Sequence, residues 1–212
     1  MSCYSHKMSK SLKAVHQRLD QCEKCPDMCS RAVYGPALET KVMLIGQAPG
    51  VHESSLGRPF AFTAGKTLFQ WLEKATGADE TELRQLIYFS AVARCFPGKT
   101  EKSQGDRVPT AEEIKNCSEY LQAEIEILKP KLILAVGKVA MMEVLSAHGV
   151  KASTPLTDLV GKKIKTHFHG HEVTVISLPH PSGVSRWPQT EPGKSKLAKA
   201  LRLLRLELRE LL

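Results

Sequence analysis

A chain of 212 residues, 42% hydrophobic and 25% charged, has the length and composition of a globular protein with one substantial core. No apolar run approaches the ~20 residues that span a bilayer, and the opening MSCYSHKMSKSLK has no apolar h-region, so neither a membrane span nor a secretory signal is expected. The net charge of +8, gathered in Lys7–Lys13, Arg94–Lys102, Lys162–Lys165 and Lys194–Arg209, fits either a solvated basic surface or a polyanion partner.

A cytoplasmic, reducing setting follows from the absent signal, and six cysteines there suggest metal rather than disulfides. The first two of interest form a clamp, Cys22-Glu-Lys-Cys25, whose tight turn can aim both sulfurs at one centre. Lys41–Gly46 then reads as a buried strand. It breaks into a turn with Gly46, Pro49 and Gly50 that gathers an amide (Gln47), an imidazole (His52) and a carboxylate (Glu53). The spacing of Leu68, Phe69 and Leu72 predicts a helix over Gly65–Thr76. Ile87–Ala93 is a second apolar strand, and Cys95 follows it. Lys99–Val108 is polar and contains glycine, and reads as a surface loop or a disordered insert. Thr110 and Glu113 form a capping box that opens a helix to Leu128, with Cys117 in its first turns and Pro130 beyond its end.

Lys131–Val136 is a third strand, followed by a helix over Gly137–Ala147. Lys162–Lys165 and His169–Val175 can form a hairpin around Gly170. Glu172–Leu178 is a fourth strand and runs into Pro179-His180-Pro181-Ser182-Gly183. Lys194–Leu212 places Leu197, Leu201, Leu204, Leu208 and Leu211 on one stripe, which reads as core packing. Apolar strands alternating with helices predict one domain over 1–212: a three-layer α/β/α arrangement around a central four-stranded parallel sheet. An N-terminal cysteine segment about 12–35 and a C-terminal helix about 194–212 flank it.

In such folds ligands bind beyond the carboxyl ends of the strands. Gln47, Glu53 and His180 all fall at that edge, and a neutral imidazole there can donate to developing negative charge. Four thiolates, from Cys22, Cys25, Cys95 and Cys117, could hold zinc or an iron–sulfur cluster, and spacing alone does not separate the two. Cys3 and Cys29 read as buried free thiols that pack like small hydrophobes.

Taken in order, these residues resemble the uracil-DNA glycosylase superfamily, most closely its iron–sulfur-containing, thermostable class (family four). The resemblance rests on Cys22-x2-Cys25 with Arg31, Gly46-Gln47-Ala48-Pro49-Gly50, Glu53, Gly57-Arg58-Pro59-Phe60, Ala64-Gly65, Cys95, Pro109-Thr110-Ala111-Glu112-Glu113, Cys117 and His180-Pro181-Ser182. It implies a 4Fe–4S cluster with a structural role on the four cysteines, and DNA as the partner of a monomeric enzyme. Excision would flip the damaged base into a pocket. Phe60 would stack under the base, backbone groups near Gln47 and Ala48 would read its edge, and Ser90 and Ala91 would flank it. His180 would hydrogen-bond its carbonyl oxygen, and Glu53, with Gln47 the next candidate, would orient water or balance the sugar cation. Ser182, Arg186 and the loop beginning at Lys99 would meet phosphates, and Val184 or Trp187 would wedge into the gap in the stack.

The chain departs from that class at several points. Gln47 stands in place of glutamate, Ala91 in place of the asparagine of the second motif, and Phe62 in place of glycine; the best-known enzymes of the superfamily carry aspartate where Ala48 stands. The expectation is therefore a glycosylase for uracil or another deaminated base such as hypoxanthine, set against a catalytically weak damaged-DNA-binding protein of the same fold.

Overall fold

The computed structural model describes residues 8–100, 105–183 and 185–211; Cys3, Lys7, Lys102, Val184 and Leu212 lie outside the described residues. In chain order the elements are α1 (Lys10–Asp20), β1 (Val42–Gly46), α2 (Val51–Leu56), α3 (Thr63–Thr76), α4 (Glu80–Leu86), β2 (Tyr88–Ala91), α5 (Ala111–Leu128), β3 (Leu132–Val136), α6 (Lys138–Val144), α7 (Leu156–Leu159), β4 (Lys163–Phe168), β5 (His171–Leu178) and α8 (Gly193–Leu211). β1, β2 and β3 are buried along their whole length, as parallel strands covered on both faces must be. Their sheet has the order β2-β1-β3-β5-β4.

The class is the expected α/β one, but the sheet has five strands and is mixed, not four strands all parallel. β4 lies antiparallel to β5 at the edge, with Phe168 opposite His171. His169 and Gly170 between them have φ of 46° and 79°. Two successive residues with positive φ make the tight turn whose twist suits a hairpin. β4 alternates, with Lys163, Lys165 and His167 exposed and Thr166 and Phe168 buried. Charged side chains on an outer strand blunt an edge that could otherwise pair with another chain.

Side chains alternate across the sheet. On β2, Tyr88 and Ser90 point toward α5, where both hydroxyls donate to Glu124. Phe89 points the other way and its ring meets Phe69 of α3. α1 packs with α5 on the first face; α3 and α8 pack together on the second, with α8 also against β5. One apolar cluster runs through the sheet into both layers. No helix among the described residues is long and apolar enough to cross a membrane.

α5 begins as the sequence predicts. Thr110 Oγ1 accepts from the Glu113 N–H, and the Glu113 carboxylate accepts from the Thr110 N–H. The guanidinium of Arg107 also grips Glu113 with two bonds of 2.8 and 2.5 Å. Charge and geometry together hold the Glu113 carboxyl at about 2, well under the ordinary glutamate value, with the Arg107 bonds the largest cause. A carboxylate depressed on folding adds stability that is complete above its unfolded pKa and is lost as the pH falls through the folded one. Glu113→Gln should therefore lower unfolding stability by ~2–3 kcal/mol at neutral pH. Chemical denaturation over a pH series should show the gap to wild type closing between pH ~4.5 and ~2. A gap independent of pH would show that packing, not the ion pair, holds this end of α5.

Candidate functional site

A cavity of about 300 Å³ opens at the carboxyl edge of the sheet. The ends of β1, β2, β3 and β5 feed it through Gly46, Ala91, Val136 and His180. It brings together most of the residues expected there: Gln47, Ala48, Glu53, Phe60, Ser90, Ala91, Lys99, His180 and Ser182 all line it.

Phe60 is held with unusual care. Its φ is +53°, a left-handed conformation that costs a non-glycine residue ~1–3 kcal/mol and persists only where its surroundings impose it. The Arg84 guanidinium donates to the Pro59 and Phe60 carbonyls at 3.1 and 3.0 Å. Gly65 lies directly against the Phe60 carbonyl: a Cβ there would meet its oxygen at 1.8 Å. At Gly46 a Cβ would meet the Phe60 ring at 2.9 Å, so this glycine lets the ring lie close to the end of β1. The ring ends half-buried, a flat apolar wall of the cavity.

His180 lines the same cavity. Its Nδ1 accepts from the Ser182 N–H at 3.2 Å. In the neutral ring the proton therefore sits on Nε2 and that nitrogen is the donor. His180 is exposed at the cavity, with protein packed around part of the side chain. That enclosure lowers its pKa, and the negative charge of Asp106 opposes the shift. Gly137 admits the ring: a Cβ there would lie 3.2 Å from His180 Cδ2.

Glu53 is half-buried in the first turn of α2. Its carboxylate accepts from the Gly50 N–H at 2.6 Å. Burial raises its pKa, backbone N–H bonds from Gly50, Phe60 and Ala61 lower it, and Asp106 adds to the rise. These bonds join the turn after β1 to the Phe60 segment. Ser90 turns its proton away from the cavity, toward Glu124 Oε2 at 3.0 Å.

A second, smaller cavity of about 60 Å³ is lined by Cys22, Cys25, Cys95 and Cys117, with Arg94 and Asn116. The four come from three stretches of chain, the Cys22–Cys25 clamp, the residues after β2 and α5, which local bonds draw together. Cys29 N–H donates to the Phe96 carbonyl and Val33 N–H to the Arg94 carbonyl. Lys24 reaches Glu119 of α5 at 2.7 Å, and Asn116 donates to the Lys24 carbonyl. All four thiols are free, as is Cys29, which does not line the cavity and is exposed, not buried as expected. Burial pushes the Cys95 thiol up to about 12, and the neighbouring sulfurs add to it. Among the described residues no group of three or more His, Cys, Asp or Glu side chains is placed to hold a metal ion as it stands.

Between the two cavities lies a buried ion pair. Arg94 and Glu124 are both fully buried, joined by two bonds of 2.8 and 2.6 Å. Nε of Arg94 has no partner.

Other expected residues fall elsewhere. Trp187 is half-buried, packed against the core beside the start of α8, where a Cβ on Gly193 would meet its carbonyl oxygen at 1.9 Å, and it does not line the cavity. Arg186 is exposed beside it and does not line the cavity, and Val184 lies outside the described residues. Arg58 is exposed, 3.9 Å from Glu80. The sequence reading missed Arg84, Asp106 and the Arg94–Glu124 pair. Only Asp106 carried a signal, as a carboxylate within a loop read for its lysines.

Residues 32–205 match the Uracil DNA glycosylase superfamily. This chain belongs to that superfamily. It is 31% identical over 180 residues to a Type-4 uracil-DNA glycosylase of Pyrobaculum aerophilum, covering 84% of this chain and 86% of the relative. A Type-4 uracil-DNA glycosylase of Sulfurisphaera tokodaii is 30% identical over 175 residues, covering 81% and 74%. A Type-5 uracil-DNA glycosylase of Pyrobaculum aerophilum is 26% identical over 192 residues, covering 74% and 81%. The superfamily match spans the whole run of segments that builds the large cavity, from Val33 to Ser182.

The Gly65–Phe60 contact is backbone against backbone and cannot be relieved by a rotamer change. Gly65→Ala should cost ~1–3 kcal/mol, as overpacking does, and displace the Phe60 ring. Thermal unfolding would register the first and a crystal structure the second; an unchanged melting temperature would mean the segment is not held there.

Proposed function

We propose that this chain is a DNA repair glycosylase that hydrolyses the N-glycosidic bond of uracil flipped out of DNA and leaves an abasic site. The observation that carries the reading is the pairing, in one cavity, of the strained Phe60 wall with His180 in a fixed Nε2–H tautomer. A flipped base stacks on Phe60, and backbone groups around Gln47 and Ala48 meet its polar edge. The Nε2–H of His180 donates to the base carbonyl oxygen as negative charge gathers on it. A neutral ring suits that task, since it offers a proton bond without surrendering the proton. Glu53 shapes the loop and sets a fixed carboxylate beneath the site, where the sugar becomes cationic. Lys99 and Ser182 at the mouth, with Arg186 beyond it, supply phosphate contacts that fix the register of the strand. The +8 charge draws the polyanion in. The protein acts as a cytoplasmic monomer in this reading.

Cys22, Cys25, Cys95 and Cys117 are the ligands of a 4Fe–4S cluster in this reading, and together they line one cavity of about 60 Å³. The unpartnered Arg94 Nε–H beside that cavity suits a group that brings sulfur acceptors. Such a cluster, held by Cys22, Cys25, Cys95 and Cys117, would cross-link the Cys22–Cys25 segment, the residues after β2 and α5. Arg94, Asn116 and Lys24 orient those segments around it.

The deciding assay is incubation with single- and double-stranded oligonucleotides carrying uracil or hypoxanthine, followed by alkaline cleavage at any abasic site. Uracil strands should be cut; cleavage of hypoxanthine strands alone would transfer the activity to that base, and none at all would leave a binding protein. His180→Ala should slow uracil excision ~10²–10³-fold, the size of one lost oxyanion donor. Its affinity for abasic DNA should hold, because no base is present there. Equal losses in both would make His180 a loop-positioning residue. Cys117→Ser should lower the iron content and the visible absorbance of anaerobically purified protein. A colourless wild type carrying one zinc would overturn the cluster.

A further inference from the structure

Cleavage of a glycosidic bond by water needs a group that takes the water's proton and faces the sugar cation. Gln47 carries no charge, so the candidates are the carboxylates on the wall of the large cavity, which among its described lining residues are Glu53 and Asp106. Glu53 is committed to the backbone: the Gly50, Phe60 and Ala61 N–H groups all point into it. Its task is to hold the loop.

Asp106 is placed differently. The loop after Cys95 doubles back so that Lys99 and Asp106 form an antiparallel bridge, and the Arg107 N–H donates to the Gly98 carbonyl at 2.9 Å. The Arg107–Glu113 pair anchors the loop to α5. Lys99 Nζ takes Asp106 Oδ1 at 2.6 Å. Oδ2 is turned to the other side, over the turn after β1, and lies 3.2 Å from where a Cβ of Gly50 would stand. Glu53 Oε2 lies 3.6 Å from the same point, so the two carboxylates are neighbours. The absence of a side chain at Gly50 keeps the space between them open. The Asp106 side chain is 38% exposed and sits at the cavity mouth. Its charge reaches both Glu53 and His180. In the proposed pose, a base seated on Phe60 would leave its sugar at that mouth.

We propose that Asp106 is the catalytic carboxylate of the cleavage set out above, a reading on which this inference rests. The C1′–N1 bond breaks and its electron pair goes to the base, whose carbonyl oxygen gathers charge beside His180. A water lone pair forms the new C1′–O bond. One proton of that water passes to Asp106, and the anionic base regains a proton from solvent as Asp106 releases its own. Lys99 holds Asp106 in place until a phosphate arrives to share the ammonium. Glu53 keeps the turn open throughout.

Single-turnover excision of uracil by wild type and by Asp106→Asn tests this. The variant should lose ~10²-fold in rate, the scale of one general base. Its melting temperature and its affinity for abasic DNA should stay at wild-type values, and Asp106→Glu should recover part of the rate. Asp106→Asn at the wild-type rate would overturn the assignment, as would a loss of abasic-DNA affinity as large as the loss of rate. A wild type inert on uracil would instead remove the glycosylase reading itself, and the two failures are told apart by that first arm.

Discussion

The pair of Arg94 and Glu124 is the contact on which both cavities depend. Two charges with no exposed surface are costly to bury, and such a pair survives only if its remaining bonding capacity is met. Here Tyr88 and Ser90 both donate to the Glu124 carboxylate, and His16 Nε2 meets the Tyr88 hydroxyl at 2.9 Å. Since Tyr88 gives its proton to Glu124, His16 must be the donor in that last bond. Burial lowers the His16 pKa, which suits a neutral ring. Burial also works against the Arg94 charge, but Glu124 more than offsets it and keeps the guanidinium protonated. Removing one partner of such a pair typically costs ~3–5 kcal/mol, because the other is left buried and uncompensated. The network ties α1, β2 and α5 at one depth. Ser90 and Ala91 belong to the large cavity, and Cys95 and Cys117 to the small one, so a shift of α5 along β2 would disturb both.

A second constraint acts on the turns. The segment from Gly46 to Gly65 must leave β1, form α2, reverse, and enter α3 while pressing an aromatic ring back onto its own start. The strain at Phe60 is the result, and it is met by three independent supports: the Arg84 fork on the carbonyls, the bare backbone of Gly65 and the Glu53 carboxylate. Arg84 also stacks on the Phe69 ring at 4.6 Å, so the fork is itself braced by the core. A wall fixed this firmly suits selection of a flat ligand by shape.

Local chemistry made much of the fold legible. Continuous apolar runs marked β1, β2, β3 and β5, and Thr110 with Glu113 marked the start of α5. Asp79 and Glu82 form the same reciprocal cap on α4, a signature present in the chain but unread because the helix behind it has only one buried residue, Leu83. β4 was foreseen only as half of a hairpin, since its alternating, lysine-rich pattern resembles a solvated loop until Phe168 is placed in the core. The site split along the same line. Residues in short ordered motifs, such as Gly46–Gly50 and His180–Ser182, could be read. Arg84, Arg94 and Glu124 could not, because each acts on a partner 24 or more residues away, and nothing local distinguishes a buried charge from an exposed one.

The balance of charge completes the picture. A protein of net charge +8 suits a polyanion, yet two carboxylates meet inside its cavity. The two signs act at different distances. Surface lysines and arginines are felt over about a Debye length, ~10 Å at moderate salt, and gather the strand. Glu53, half-buried in the turn, and Asp106, at the cavity mouth, act only at short range over Gly50, where Coulomb interactions are less screened than in bulk water. In the proposed reaction, negative charge there would favour a cationic sugar over a neutral one while the surface cations still draw the polyanion in. Lys99 joins the two regimes, pairing with Asp106 at the mouth where the strand arrives.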